Sequence, residues 1–347
     1  METQNTKSEP VPDFMTFMRL LWPGALTVQA IYTAARLEIA DHLATGPKSL
    51  GELHASTSAN KKTLERLLQA LASIGMFSKD DGGKFQNTAL SELLRKDHPG
   101  SMRPWALMLG ASFVWKPMGE LHDAVVTGTA SFNQIFSTHF FDYLASHPED
   151  AEIFNRAMAA QSTNFMEELA RFYDFSRFSN LVDLGGGTGE NLARILETNS
   201  TLKGILFDLP EVIEQVKSSL VTRFNGRLTL ASGNFFDTVP GHQDCYMMVR
   251  VIHDWADEDA VKILQKCRGA MDSGTTLLLV ETILDQRSES PQAMMDMLML
   301  VLLGSMERSE ENFRELLQKG GFEIIRVIKE PGFSMIESRP VPLSGSA

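Results

Sequence analysis

Residues Leu181–Glu190, LVDLGGGTGE, decide how this chain is to be read. Two apolar residues and Asp183 resemble the end of a buried strand. Gly185, Gly187 and Gly189 then alternate through a tight turn, and Asn191–Leu196 continues as a helix pattern. Glycine is needed where a turn demands positive φ or where backbone must lie against a ligand. Strand, glycine turn and helix is how doubly wound α/β domains bring a ligand to the free N–H groups of a helix N-terminus. The spacing is G-x-G-x-G, not the G-x-G-x-x-G of dinucleotide binders, a difference that is weak alone.

Working outward toward the C-terminus, strand-like runs at Asn180–Leu184, Gly204–Asp208, Leu228–Ser232, Cys245–Ile252 and Thr276–Glu281 alternate with helix patterns. The helices are expected at Gly189–Leu196, Val212–Leu220, Asp259–Met271, Ala293–Leu303 and Ser309–Lys319. Such alternation predicts a mostly parallel sheet covered on both faces. Phe322–Lys329 and Phe333–Glu337 are separated only by Pro331-Gly332, so they are expected to form an antiparallel hairpin at one edge. Polar residues gather where the strands end, the edge at which open α/β sheets bind ligands. Asp208 lies 19 residues after Gly189, the distance at which a carboxylate meets ribose hydroxyls. At the next strand end Gly233 admits backbone to a ligand, Asn234 offers an acceptor to an adenine amino group, and Phe235 offers a ring face. Arg250, His253, Asp254 and Trp255 end the fourth strand, and Glu281 ends the fifth.

Toward the N-terminus the rhythm is helical. Ala34–Leu43 and Thr63–Ile74 have helical apolar spacing, and Ser49 with Glu52 three residues on has the capping-box arrangement. Asp80-Asp81-Gly82 marks a hairpin turn. Three helices and a hairpin make a winged-helix pattern over residues 14–100, followed by a helical, substrate-lining region over 101–175 and an α/β domain over 176–340. DNA contact through Lys61, Lys62 and Arg66 competes with a platform that packs against another subunit. Glu65, the apolar remainder of that helix and the net charge of −12 favour the platform. The same charge argues against a large nucleic-acid or anionic-membrane surface. The most apolar run, Met294–Met306, is too short to span a bilayer and contains Asp296, so a core or pocket-lining helix is expected. Two cysteines in apolar segments, Cys245 and Cys267, predict buried free thiols. No secretory signal is apparent, and a cytoplasmic setting is expected.

Taken together, LVDLGGGTGE, LFDLPEVI, SGNFFD, RVIHDWADEDAVKIL, LLLVETIL and MERSEENFRELLQKGGFEII resemble the class I S-adenosylmethionine-dependent small-molecule O-methyltransferases. That family includes plant caffeic acid enzymes and bacterial antibiotic-tailoring enzymes. The upstream FFDYLASHPEDAEIFNRAM resembles it too, and the likeness extends over about residues 15–338. The resemblance implies a Rossmann-like sheet with a C-terminal hairpin, a winged-helix dimerisation domain, a homodimer, and S-adenosylmethionine as methyl donor. It places the donor on Asp183, Gly185, Gly187, Asp208, Leu209, Gly233, Asn234, Phe235 and Arg250. Two departures stand out: Asn234 occurs where the family often has Asp, and Arg250, preceded by Val249 instead of the lysine of many plant members, is of the bacterial type.

Methyl transfer from a sulfonium to a phenol needs a weak nucleophile activated, and His suits proton removal near neutral pH. The resemblance assigns this role to His253 and the flanking positions to Glu281 and Glu307. For Glu307, pairing with Arg308 or helix capping is the alternative. Met158, Gln161, Asp254, Trp255, Met299 and Leu303 are implied to line a hydroxylated aromatic substrate, with ordinary core packing as the alternative, and for Asp254 capping of the following turn. No His/Cys/Asp cluster has ligand spacing, so no metal is expected. Other uses of the same cofactor site, C- or N-methylation, decarboxylation or hydroxylation, stay open at this point, as does a winged-helix ligand sensor.

Overall fold

The structure, a computed structural model, describes residues 14–21, 23–216, 218–284, 292–330 and 333–341. Two compact units divide at Ala111 and Ser112. In the first, helices Gly24–Arg36, Ile39–His42, Leu50–Thr57 and Lys61–Ser73 precede a hairpin of β1 (Phe77–Lys79) and β2 (Phe85–Asn87). Helix Arg103–Gly110 packs on Gly24–Arg36 and joins this unit, although residues 101–175 read as one region in sequence. The capping box forms as expected: Ser49 Oγ accepts from the Glu52 N–H, and Glu52 Oε2 accepts from the Ser49 N–H at 2.7 Å. Leu53, Leu64, Leu68, Phe77 and Phe85 fill the core. Ala34–Leu43 is not one helix. Its apolar period runs through, but Glu38 turns left-handed at φ 54° and splits it.

The second unit is built on a seven-stranded sheet of β3 (Asn180–Leu184), β4 (Lys203–Asp208), β5 (Leu228–Ser232), β6 (Cys245–Val249), β7 (Thr276–Glu281), β8 (Phe322–Glu330) and β9 (Phe333–Pro340). The order is β5-β4-β3-β6-β7-β9-β8, with β3 to β7 parallel and β8 and β9 antiparallel. The connecting Pro331-Gly332 lies outside the described residues. Two apolar layers sandwich the sheet. One contains Leu181, Leu192, Ile195, Leu206 and Met247; the other contains Val182, Tyr246, Met248, Ile263, Leu279 and Phe313. Every residue of β7 is buried, as a central strand covered on both faces requires. Cys245 and Cys267 are buried free thiols, and burial pushes Cys267 up to about 12. The strand order reverses between β3 and β6, and such a switch point opens a crevice at the carboxyl ends of the strands.

Two expected elements change. β6 stops at Val249, not Ile252, because Arg250 adopts φ 53° and a single 3₁₀ turn, Ile252–Asp254, follows. Val212–Leu220 is two short helices, Pro210–Ile213 and Ser218–Arg223.

Candidate active site

The glycine loop leaves the carboxyl end of β3 and is bonded to the end of β4, where the Gly185 N–H donates to Phe207 O at 2.8 Å. Gly187 has φ 58°, and a Cβ there would meet nothing within 4 Å, so its open side faces away from the protein. The tightest position is one that the alternating pattern does not single out. A Cβ on Gly186 would overlap Leu206 and fall 2.7 Å from Asp183 Oδ2. Gly185 lies beneath Val251 and Phe235, and Gly233 lies against the Phe207 ring.

Asp183 sits under this loop, not on its surface. It is fully buried, neither carboxylate oxygen has a hydrogen-bond partner, and burial with the nearby Asp208 raises it to about 7. Asp208 is partly exposed at the end of β4 and ties the loop down: Oδ2 accepts from Gly187 N–H at 2.8 Å and Oδ1 from Leu209 N–H at 2.7 Å. Each oxygen keeps a further lone pair for an incoming hydroxyl. Asn234 is exposed, and its Oδ1 accepts from Phe236 N–H at 3.0 Å, so the amide oxygen is turned onto its own loop.

His253 stands in the 3₁₀ turn after β6, with a side chain only 9% exposed. Its Nδ1 lies 3.0 Å from Glu307 Oε1, and its Nε2 lies 3.3 Å from Asp254 Oδ1. Burial pulls the imidazole down, but Asp254, Glu281 and Glu307 together outweigh it and raise His253 to about 9. Asp254 is pushed up to about 6, mainly by burial, while His253 and Arg250 oppose the shift. It caps no helix: Ala256 precedes the Asp257–Ala270 helix without a side-chain cap.

Glu281 flanks the imidazole through its charge. Its hydrogen bonds go to the backbone, with Oε1 accepting from Val251 N–H at 3.2 Å and Ile252 N–H at 2.9 Å. It is buried, and burial raises it to about 7. Glu307 does not pair with Arg308, and Ser309, not Glu307, caps the Glu310–Gly320 helix. Asp296 accepts from the Glu307 N–H at 2.7 Å, which is the use of a carboxylate inside the apolar 292–303 helix.

Arg308, which the sequence offers only as a possible partner of Glu307, is completely buried. Its guanidinium donates to Ile252 O at 2.9 Å, Trp255 O at 2.7 Å and Asp257 Oδ1 at 2.7 Å. Its adjacency to Glu307 in the ERS run was the one available signal.

Trp255 is gathered with Phe235, Phe236 and Phe141. The ring centroids are 5.9, 4.7 and 5.8 Å from it, edge-on to the first two and stacked with the third. Phe236 and Phe141 thus join Trp255 and Phe235 in one aromatic cluster. Met299 is buried and Leu303 half-buried on a helix that touches the 252–254 turn. Met158 is half-buried on the Pro148–Phe172 helix; the Gln161 side chain lies outside the described residues. Among the described residues no group of three His, Cys, Asp or Glu could hold a metal ion.

A glycine loop tied to a strand-end carboxylate, beside a buried imidazole held by acids, is the site of a nucleotide-type methyl-donor enzyme of the Rossmann-like class. The match to known proteins sharpens this. Residues 118–323 fit the O-methyltransferase domain, and residues 21–97 fit the O-methyltransferase dimerisation domain. A phenazine O-methyltransferase of Lysobacter antibioticus is 38% identical over 98% of this chain and all of its own. A mitomycin 6-O-methyltransferase of Streptomyces lavendulae is 36% identical over 87% of each. Among solved structures, NcsB1 from neocarzinostatin biosynthesis, in complex with S-adenosylmethionine and 2-hydroxy-5-methyl naphthoic acid, has a TM-score of 0.82. It is 30% identical over 93% of this chain and 98% of its own. The chain belongs to the S-adenosylmethionine-dependent O-methyltransferase family, and its N-terminal unit carries that family's dimerisation domain.

Proposed function

We propose that this enzyme methylates a hydroxyl of a small aromatic or polycyclic secondary metabolite, with His253 receiving the hydroxyl proton. The supporting observation is the His253–Glu307 pair: a buried imidazole whose Nδ1 is held by a buried carboxylate, with Nε2 on the opposite side of the ring beside Asp254. Several relatives act on such molecules by name, among them a 3-amino-4-hydroxybenzoate 4-O-methyltransferase and a naphthoate 7-O-methyltransferase.

S-adenosylmethionine, when bound, supplies a methyl group activated by its sulfonium charge. The residues present fit it: Gly187 offers an open, left-handed backbone position, Asp208 offers spare acceptor capacity to a diol, and the Phe235 ring lies next to Gly185. We assign Asp183 to the support of the loop from below, and Gly233, Asn234, Leu209 and Arg250 to its rim.

In this reading Glu307 orients the imidazole and stabilises it when charged, and Asp254 yields Nε2 to the acceptor oxygen. The base contributes about 10²- to 10⁴-fold. Orientation of two bound reactants contributes more, and that falls to the wall of Trp255, Phe235, Phe236 and Phe141, with Met158, Gln161, Met299 and Leu303 as further lining. The working enzyme is a homodimer, and we place it in the cytoplasm.

Labelled S-adenosylmethionine with 3-amino-4-hydroxybenzoate and 1,4-dihydroxy-2-naphthoic acid tests this. Label on a hydroxyl oxygen and a His253→Ala rate at least 100-fold lower are expected, with S-adenosylhomocysteine affinity retained in calorimetry. An equally active His253→Ala removes the base assignment, and label on the amino nitrogen of the first acceptor removes the oxygen assignment.

A further inference from the structure

The 251–255 turn is held from both of its polar sides by residues far away in sequence. On the N–H side, Glu281 accepts from Val251 and Ile252. On the C=O side, Arg308 donates to Ile252 and Trp255, the carbonyls that bracket His253 and Asp254. The guanidinium is itself anchored by Asp257 Oδ1 through Nε at 3.0 Å and a terminal nitrogen at 2.7 Å. A short turn of this kind makes few bonds of its own, and Val251 and Arg250 lead into it from a strand end with Arg250 left-handed.

A fully buried arginine is costly unless every donor direction is used and its charge is matched. Arg308 is spent on backbone carbonyls and one acid, and not on its neighbour Glu307. Its two backbone acceptors both belong to one short segment. Glu307 and Arg308 are consecutive. Their backbone is fastened by the Asp296 carboxylate on the Glu307 N–H and by the Leu284 N–H donating to the Arg308 carbonyl at 3.0 Å. One rigid dipeptide thus fixes the imidazole twice, through Nδ1 by Glu307 and through the backbone on either side of it by Arg308.

We propose that Arg308 is a positioning residue for methyl transfer: by bridging the carbonyls of Ile252 and Trp255 it sets where His253 Nε2 points and keeps Glu307 in register with Nδ1. The proposal rests on His253 being the proton acceptor. Lysine in place of Arg308 keeps the charge but has no planar fork to span two carbonyls and a carboxylate. A misplacement of about 1 Å in such a group costs about 100-fold in rate.

The test uses full-length enzyme carrying Arg308→Lys, His253→Ala and the pair, assayed with whichever acceptor above turns over. Arg308→Lys is expected to lose about 10- to 100-fold in kcat, with acceptor KM and S-adenosylhomocysteine affinity within about twofold. Adding it to His253→Ala is expected to cost no more than about twofold further, because the residue that it positions is gone. A full additive loss in the double variant, or a folded Arg308→Lys with wild-type kcat, overturns the proposal. An active His253→Ala overturns instead the reading beneath it. Independently of any acceptor, the Nδ1–H proton resonance of His253, assigned by its absence in His253→Asn, reports on the same geometry. In the S-adenosylhomocysteine complex of Arg308→Lys it is expected to exchange with solvent more than about tenfold faster. Unchanged shift and exchange there also overturn the proposal, even if no acceptor turns over.

Discussion

Replacement of Glu307 by glutamine removes one charge from the Nδ1 side of His253 and leaves shape almost unchanged, and two opposed effects follow. The lost interaction is a charge-assisted hydrogen bond of 3.0 Å to a side chain with no solvent exposure. Such bonds contribute about 1.5–3 kcal/mol against about 0.5–1.5 for a neutral one, so the loss is about 1–2 kcal/mol. At about 1.4 kcal/mol per decade, the high-pH plateau of the rate falls about 5- to 30-fold. The same loss lowers the imidazole from about 9 by about one unit, since one unit corresponds to about 1.4 kcal/mol. A raised histidine is protonated, and idle as a base, until pH rises through its folded value. The acid limb of kcat/KM should therefore lie near 9 in the wild type and nearer 8 in Glu307→Gln. Below that limb the variant gains neutral base about tenfold, so the two enzymes should differ least near pH 7 and most near pH 10. The assay is kcat/KM from pH 6 to 10.5 with one acceptor, so that ionisation of the acceptor is common to both enzymes. A limb that stays in place with an unchanged plateau would refute the view that Glu307 governs the imidazole.

Three further predictions concern the loop and the acid beneath it. Gly186→Ala, whose Cβ would press on Asp183 and Leu206, should lower Tm and weaken S-adenosylhomocysteine binding more than tenfold by calorimetry. Gly187→Ala meets no protein atom and should cost about 1–2 kcal/mol of left-handed strain in denaturant melts, and because its Cβ would stand on the side proposed to face the donor, S-adenosylhomocysteine binding should weaken as well. Asp183→Asn should raise Tm relative to wild type more at pH 8 than at pH 5. The acid is raised to about 7 in the fold, so wild-type stability declines as pH climbs from about 4 through 7, whereas an amide does not titrate. An identical Tm difference at both pH values would show that Asp183 is not an isolated buried acid.

Local signals were the legible ones. The Ser49–Glu52 cap, the Asp80-Asp81-Gly82 hairpin and the strand–glycine–helix run all act within a few residues, and each formed where expected. Apolar periodicity found the sheet strands, because a buried parallel strand must be apolar on both faces. The same signal erred where a single backbone angle decides. The apolar period continues through Glu38 and past Val249, but φ of 54° at Glu38 and 53° at Arg250 breaks the helix and ends the strand. Nothing in a hydrophobic pattern records a left-handed residue that is not glycine.

By itself, then, the sequence determined the family and pointed to the loop and strand ends proposed to hold the methyl donor, since these are one continuous run plus strand ends set at regular spacing. It also marked His253, Glu281 and Glu307 as a group. Only the tertiary structure decided what each does: Glu307 meets Nδ1 across 54 positions of chain, Glu281 reaches the turn's N–H groups across 29 and 30, and Arg308 reaches its carbonyls across 53 and 56. The first joins two side chains; the other two join side chains to backbone groups exposed by an irregular turn. A backbone N–H or C=O is present at every position and has no letter in the sequence, so which ones are left free for capture is settled only when the chain is folded.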